Sequence, residues 1–107
     1  MTILTVDKWM VKPEKQAEHK KLMQKFHKFM KDNAEMFKEM KLLGEYTQMF
    51  GGVSGMYVWL VEYDSLADLE KLNKRMEKNE EAKKLMAEWM PLIDAASVST
   101  NVWTAVE

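Results

Sequence analysis

Apolar residues recur along this chain with two different periods. Residues 2–11, TILTVDKWMV, are rich in β-branched and aromatic types and poor in helix formers, which predicts a strand. Pro13 then suits the first turn of a helix, where its missing N–H would find no partner anyway. From Glu14 to about Glu39 the period becomes helical. At roughly 100° per residue, Leu22, Met23, Phe26, Phe29, Met30, Phe37 and Met40 share one stripe, and most lysines lie off it. Residues 41–50, KLLGEYTQMF, lose that period and predict a second strand. GGVSG at 51–55 is the clearest turn signal, and MYVWLVEY at 56–63 is the strongest strand, so the two strands predict a hairpin.

Ser65 opens an S-x-x-D sequence with Asp68, which resembles a capping box at a helix start. Leu66, Leu69, Leu72 and Met76 carry the stripe onward. After Glu77 it changes phase, because Leu85, Met86, Trp89 and Ile93 lie well around from Leu69 and Met76. Asn79, followed by Glu80 and Glu81, reads as a fresh N-cap with acids in the first turn. A break is therefore expected near Lys78–Asn79, with the second piece ending around Pro91–Asp94. SVSTNVWTAV at 97–106 predicts a fourth strand. The order β-α-β-β-α-β defines an α+β, ferredoxin-like arrangement covering residues 1–107 as a single domain.

Strand side chains alternate between faces, so each strand divides by parity. Leu4, Val6 and Met10, with Lys8, oppose Thr5, Asp7 and Trp9. Val58 and Leu60 oppose Tyr57, Trp59, Val61 and Tyr63. Val98, Val102 and Val106 oppose Ser99, Asn101 and Trp103. The aliphatic set is expected to pack beneath the helices. The other set gathers Trp9, Trp59, Trp103, Tyr57 and Tyr63 on a face that a two-layer fold leaves in water. A patch with three tryptophans needs cover, and the expected cover is the same face of a second copy.

Composition narrows the partners. The 107 residues suit one domain, and 47% hydrophobic with 31% charged residues is a globular profile. Sixteen basic and seventeen acidic side chains leave a net charge of −1, so no global field gathers nucleic acid or an anionic membrane. Aromatic strands on this fold also serve RNA recognition, but Leu42–Glu70 and Leu85–Glu107 contain no lysine or arginine to contact phosphates. Nucleic acid is therefore not expected as a partner. The chain has no cysteine, which removes disulfides and thiolate chemistry. No signal peptide and no stretch near the ~20 apolar residues of a membrane span are visible, so a cytoplasmic protein is expected.

Few residues offer chemistry. Asp7 is the one acid on the aromatic face of the strands; beside apolar rings its pKa would rise, which is how a general base is tuned. The competing reading has it satisfied by solvent or Lys8. His19 lies on the apolar stripe of the first helix, where a structural histidine is the more common use, and His27 lies on its flank, facing solvent. The two are too far apart in sequence to share a metal without other ligands, and no metal or cofactor is expected. Asn33 sits mid-stripe, where its amide needs a hydrogen bond. The eleven methionines mostly fall at core spacing and read as packing. A small, largely apolar ligand pocket is expected between the first helix and the aromatic face, or in a barrel mouth. Its expected lining is Asp7, Trp9, Tyr57, Trp59, Tyr63, Asn101 and Trp103, with His19 at the rim.

The element order with an aromatic second face resembles the dimeric α/β-barrel superfamily. Within it, LLGEYTQMFGGVSGMYVWLVEYDSLADLEKL is similar to the NIPSNAP-like branch: a strand with Gly44, a glycine turn, then an aromatic strand ending in Tyr63-Asp64-Ser65-Leu66. That resemblance implies a homodimer whose sheets face each other, often with a cavity in each half. It also admits cofactor-independent monooxygenase-like or isomerase-like chemistry, for which Asp7 or His19 is the available proton carrier. Haem-degrading relatives usually carry a ligating histidine on the later helical segment, and here no histidine follows His27.

Overall fold

The computed structural model describes residues 2–106. Its elements are β1 (Ile3–Val11), α1 (Gln16–Asp32), β2 (Lys41–Thr47), β3 (Tyr57–Tyr63), α2 (Leu66–Lys78), α3 (Glu80–Trp89) and β4 (Ile93–Thr104). Short 3₁₀ turns at Pro13–Lys15 and Met90–Leu92 lead into α1 and out of α3. The four strands form one antiparallel sheet in the order β2-β3-β1-β4. This is the ferredoxin-like α+β fold, with three helices against one side of the sheet.

Local chemistry sets the boundaries. Ser65 Oγ accepts the Asp68 amide at 3.2 Å, which starts α2. Asn79 Oδ1 accepts the Ala82 amide at 2.9 Å, so the chain breaks at Asn79 and restarts as α3. The expected break near Lys78–Asn79 is present. Helix α1 ends earlier than its periodicity suggests. The backbone N–H of Asn33 and its Nδ2 both donate to Phe29 O, and residues 33–39 continue as turns that keep Phe37 buried. In the hairpin after β2, Gly51 and Gly55 adopt φ of 95° and 85°, a left-handed region that favours glycine. This turn ends β2 at Thr47, short of the expected residue 50.

The assignment of the two sheet faces requires a correction. Trp9, Val61 and Tyr63 are buried in the main core with Leu22, Phe29, Phe37, Leu72 and Leu85 of the helical layer, and Tyr57 and Trp59 pack against it. The aromatic face of β1 and β3 is thus the one the helices cover. The open face carries Leu4, Val6, Val58 and Leu60 at its centre. Strand β4 also joins differently from the parity grouping. Trp103 pairs with Leu4 and Asn101 with Val6, so both lie on the open aliphatic face, away from Trp9 and Trp59. Shifting a strand by one residue exchanges its faces, and the irregularity between Lys8 and Met10 makes the register of β4 illegible from alternation alone. The helices bring rings of their own, Phe26 and Trp89 among them. Large side chains facing them fill the interlayer space better than valines would.

Candidate functional site

A cavity of about 380 Å³ remains between the sheet and the helices. Its floor is the aromatic face: Thr5, Asp7 and Trp9 of β1, Trp59, Val61 and Tyr63 of β3, and Val98 and Thr100 of β4. Its roof comes from Leu22, Met23 and Phe26 of α1, Leu69, Leu72, Asn73 and Met76 of α2, and Leu85, Met86 and Trp89 of α3. The break at Asn79 matters here, because it turns α3 so that Trp89 meets Trp9 edge-on at 5.2 Å between ring centroids. Methionines in the roof are flexible, which suits a wall that adapts to what it holds.

Asp7 is the only acidic or basic side chain in this lining. Thr100 Oγ1 donates to its Oδ1 at 2.6 Å. Burial raises its pKa, and the Thr100 bond opposes that rise. The Tyr63 phenol is pushed up to about 12, first by burial and then by the charges of Asp7 and Glu39. The indole N–H groups of Trp59 and Trp89, both from lining residues, are buried without a hydrogen-bond partner among the described residues.

His19 lies outside the cavity lining, 3% exposed. The Trp9 indole N–H donates to its Nε2 at 3.0 Å. Tryptophan only donates, so Nε2 carries no proton in this bond and the neutral ring has its proton on Nδ1. Burial lowers the His19 pKa, with the Glu45 carboxylate opposing. Tyr57 stacks on Trp9 at 4.9 Å and, like His19, is absent from the lining.

Sequence reasoning missed a second polar group around Glu45. Its Oε2 accepts the Tyr57 hydroxyl at 2.8 Å, and its Oε1 contacts His27 Nε2. The Tyr57 phenol is pushed up to about 12 by burial and by this bond; the Trp59 N–H counters the rise without reaching hydrogen-bond geometry. His27, expected to be solvated, is half-exposed and engaged. The irregularity between Leu42 and Gly44 obscured which way Glu45 faces. Of the residues expected at a ligand site, the structure brings Asp7, Trp9, Trp59 and Tyr63 to the cavity. It sets Tyr57 and His19 beside Trp9, and Asn101 and Trp103 on the other face. Trp89, Thr100 and Asn73 join the lining with no sequence signal beyond their spacing. Among the described residues, no group of three or more His, Asp or Glu side chains converges as a metal site requires. No helix there is long and apolar enough to cross a membrane.

A four-stranded sheet with one helical layer and an interlayer cavity defines a ferredoxin-like α+β protein, and solved structures with the same chain path exist. A NIPSNAP family protein from Agrobacterium tumefaciens superposes with a TM-score of 0.80 at 15% identity, covering 100% of this chain and 95% of that one. An uncharacterised NIPSNAP domain protein from Burkholderia xenovorans gives 0.75 at 13% identity, covering 97% and 94%. A candidate antibiotic biosynthesis monooxygenase from Caulobacter crescentus gives 0.70 at 23% identity, covering 99% and 91%. At these identities the likeness establishes a shared fold. No family model matches the sequence, and no curated protein matches it either.

Proposed function

We propose that this protein binds a small, largely apolar molecule in the cavity between its aromatic sheet face and its helices. The observation that carries this reading is the cavity itself. About 380 Å³ stays open between the sheet and the helices, in a largely apolar lining beside a half-buried carboxylate and two unpaired indole N–H groups. We further infer a homodimer in which the open sheet faces meet as a barrel. Leu4, Val58 and Leu60 line the centre of that face in β1 and β3, and the edge strands add Tyr46 and Trp103, 54% and 52% exposed. The interface is therefore the opposite face from the aromatic one expected from parity.

Native mass spectrometry of the purified protein, followed by a thermal-shift screen with apolar and flat aromatic compounds, tests both parts. A bound molecule should raise the melting temperature by mass action. A monomer at micromolar concentration would refute the barrel, and a screen with no stabilising compound would refute the ligand.

A second reading is favoured by Asp7, a carboxyl group with a raised pKa in an apolar cavity. It could serve as the base of a cofactor-independent monooxygenase-like or isomerase-like reaction. Oxygen uptake with phenolic substrates and no added cofactor tests the oxygenase form; its absence leaves the binding protein.

A further inference from the structure

We propose that the cavity is selective for amphiphilic amines: an apolar body bearing a protonated or quaternary nitrogen that rests against Asp7 and the surrounding aromatic rings. The inference deepens, and rests on, the ligand-binding reading above. Three observations carry it. The single formal charge in the lining is a carboxylate, and no lysine, arginine or histidine shares the cavity. Thr100 occupies Asp7 Oδ1, whereas Oδ2 receives no hydrogen bond from any described residue, and no neighbouring cation offsets the cost of burying the group. Asp7 is half-buried, so it loses part of its hydration with no protein cation to replace it, and a ligand's positive charge would make good that loss.

The third observation is the wall. Trp9, Phe26, Trp59, Tyr63 and Trp89 surround the same space. Aromatic ring faces are electron-rich and attract cations, most strongly where water is excluded. Lys8, next to Asp7 in sequence, pairs with Val58 on the opposite face of the sheet and cannot take this role. The groups facing Asp7 from other elements are Thr100 of β4 and Tyr63 of β3, and the helices place only the neutral Asn73 among their polar side chains in the lining. With the Tyr63 phenol pushed up to about 12, Asp7 is the only carboxyl group in the lining.

A matched series separates this proposal from the broader reading. Phenylbutylamine, phenylbutanol and phenylbutyrate share one apolar body and differ in the charge at its end. Calorimetric titration of the whole protein should show the amine binding at least about tenfold tighter than the alcohol, with the carboxylate weakest; tenfold corresponds to about 1.4 kcal/mol. In Asp7→Asn the amine should fall to the affinity of the alcohol. As a check independent of that variant, the amine's advantage in the wild type should shrink as acid protonates Asp7, while alcohol binding stays level. If amine and alcohol bind equally, charge selectivity is wrong and the apolar cavity stands. If phenylbutyrate binds tightest, the unpaired Trp59 and Trp89 N–H groups set the preference, and the proposal is overturned. If none of the three binds, the cavity reading fails with it.

Discussion

The two faces of the sheet solve different problems with different residues. Beneath the helices, β1 and β3 present Trp9, Tyr57, Trp59 and Tyr63, and the layer still leaves a cavity. On the open side the same two strands present Leu4, Val6, Val58 and Leu60, and the aromatic residues Tyr46 and Trp103 stand only on the edge strands. On the covered side rings span the space between sheet and helices, and Trp9 is held there by tilted and edge-on contacts with His19 and Trp89. The open side, aliphatic at Leu4, Val6, Val58 and Leu60, has no helical layer to meet. It suits contact with another sheet, where leucine and valine side chains interdigitate. The covered face thus leaves a cavity with one charged side chain in its lining, whereas the open one sets Leu4, Val6, Val58 and Leu60 beside Lys8, Glu62 and Asn101.

The comparison is most sharply broken by a pair of substitutions. Leu72 of α2 is 2% exposed and packs in the covered core. Leu72→Ala should cost about 2–5 kcal/mol through lost transfer energy and added cavity. Leu60→Lys, one face away, should leave each chain folded and abolish the dimer, because it would bury a charge among apolar groups. Chemical denaturation and light scattering read the two effects. A folded, dimeric Leu60→Lys protein would show that the open face is not the interface. A destabilised monomer would show that this face belongs to the core of a single chain.

Element order, the break at Asn79 and the cap at Ser65 are legible in the sequence because each is a local signal: a period, a phase change, a side chain that accepts a nearby amide. The assignment of faces is not local. Alternation separates Trp9 from Val6, but it does not say which of the two meets the helices, and the register irregularities next to Lys8 and Leu43 break the parity that would link β4 and β2 to the central strands. The candidate site was legible in proportion. Asp7, Trp9, Trp59 and Tyr63 come from the two strands that pair without a register shift, and they reach one cavity. Asn101 and Trp103 depend on the register of β4, and Glu45 on that of β2. Those are the residues that sequence reasoning misplaced or missed.

Cover over the aromatic face depends on the turn between α2 and α3, which yields a smaller prediction. Asn79 Oδ1 holds the Ala82 amide, and Ala82 is almost fully buried. Asn79→Ala should therefore cost about 1 kcal/mol, read as a lower denaturation midpoint with an unchanged slope. Because α3 carries Trp89 and Met86 over the cavity, the same variant should weaken any ligand identified there more than it weakens dimerisation. Equal losses in both would mean that the break supports the fold as a whole rather than the cover.

The smallest expected effect concerns the one histidine buried on the covered side, a group with no counterpart on the open face. His19 accepts the Trp9 N–H through Nε2, and burial, opposed by Glu45, lowers its pKa from the usual 6.5. The folded chain therefore binds fewer protons than the unfolded chain between that lowered value and 6.5. Stability contributed by the neutral ring is present above 6.5 and is lost as pH falls toward the folded pKa. Trp9→Phe keeps an aromatic ring beside His19 but removes the donor, so the neutral imidazole loses its partner. The lost bond should cost about 1 kcal/mol at neutral pH. The His19 pKa, followed by NMR of its ring protons, should move upward, and the decline in stability on mild acidification should become shallower. An unchanged titration in a folded Trp9→Phe protein would show that burial alone sets the His19 pKa, and that the indole bond serves only to orient Trp9 over the cavity.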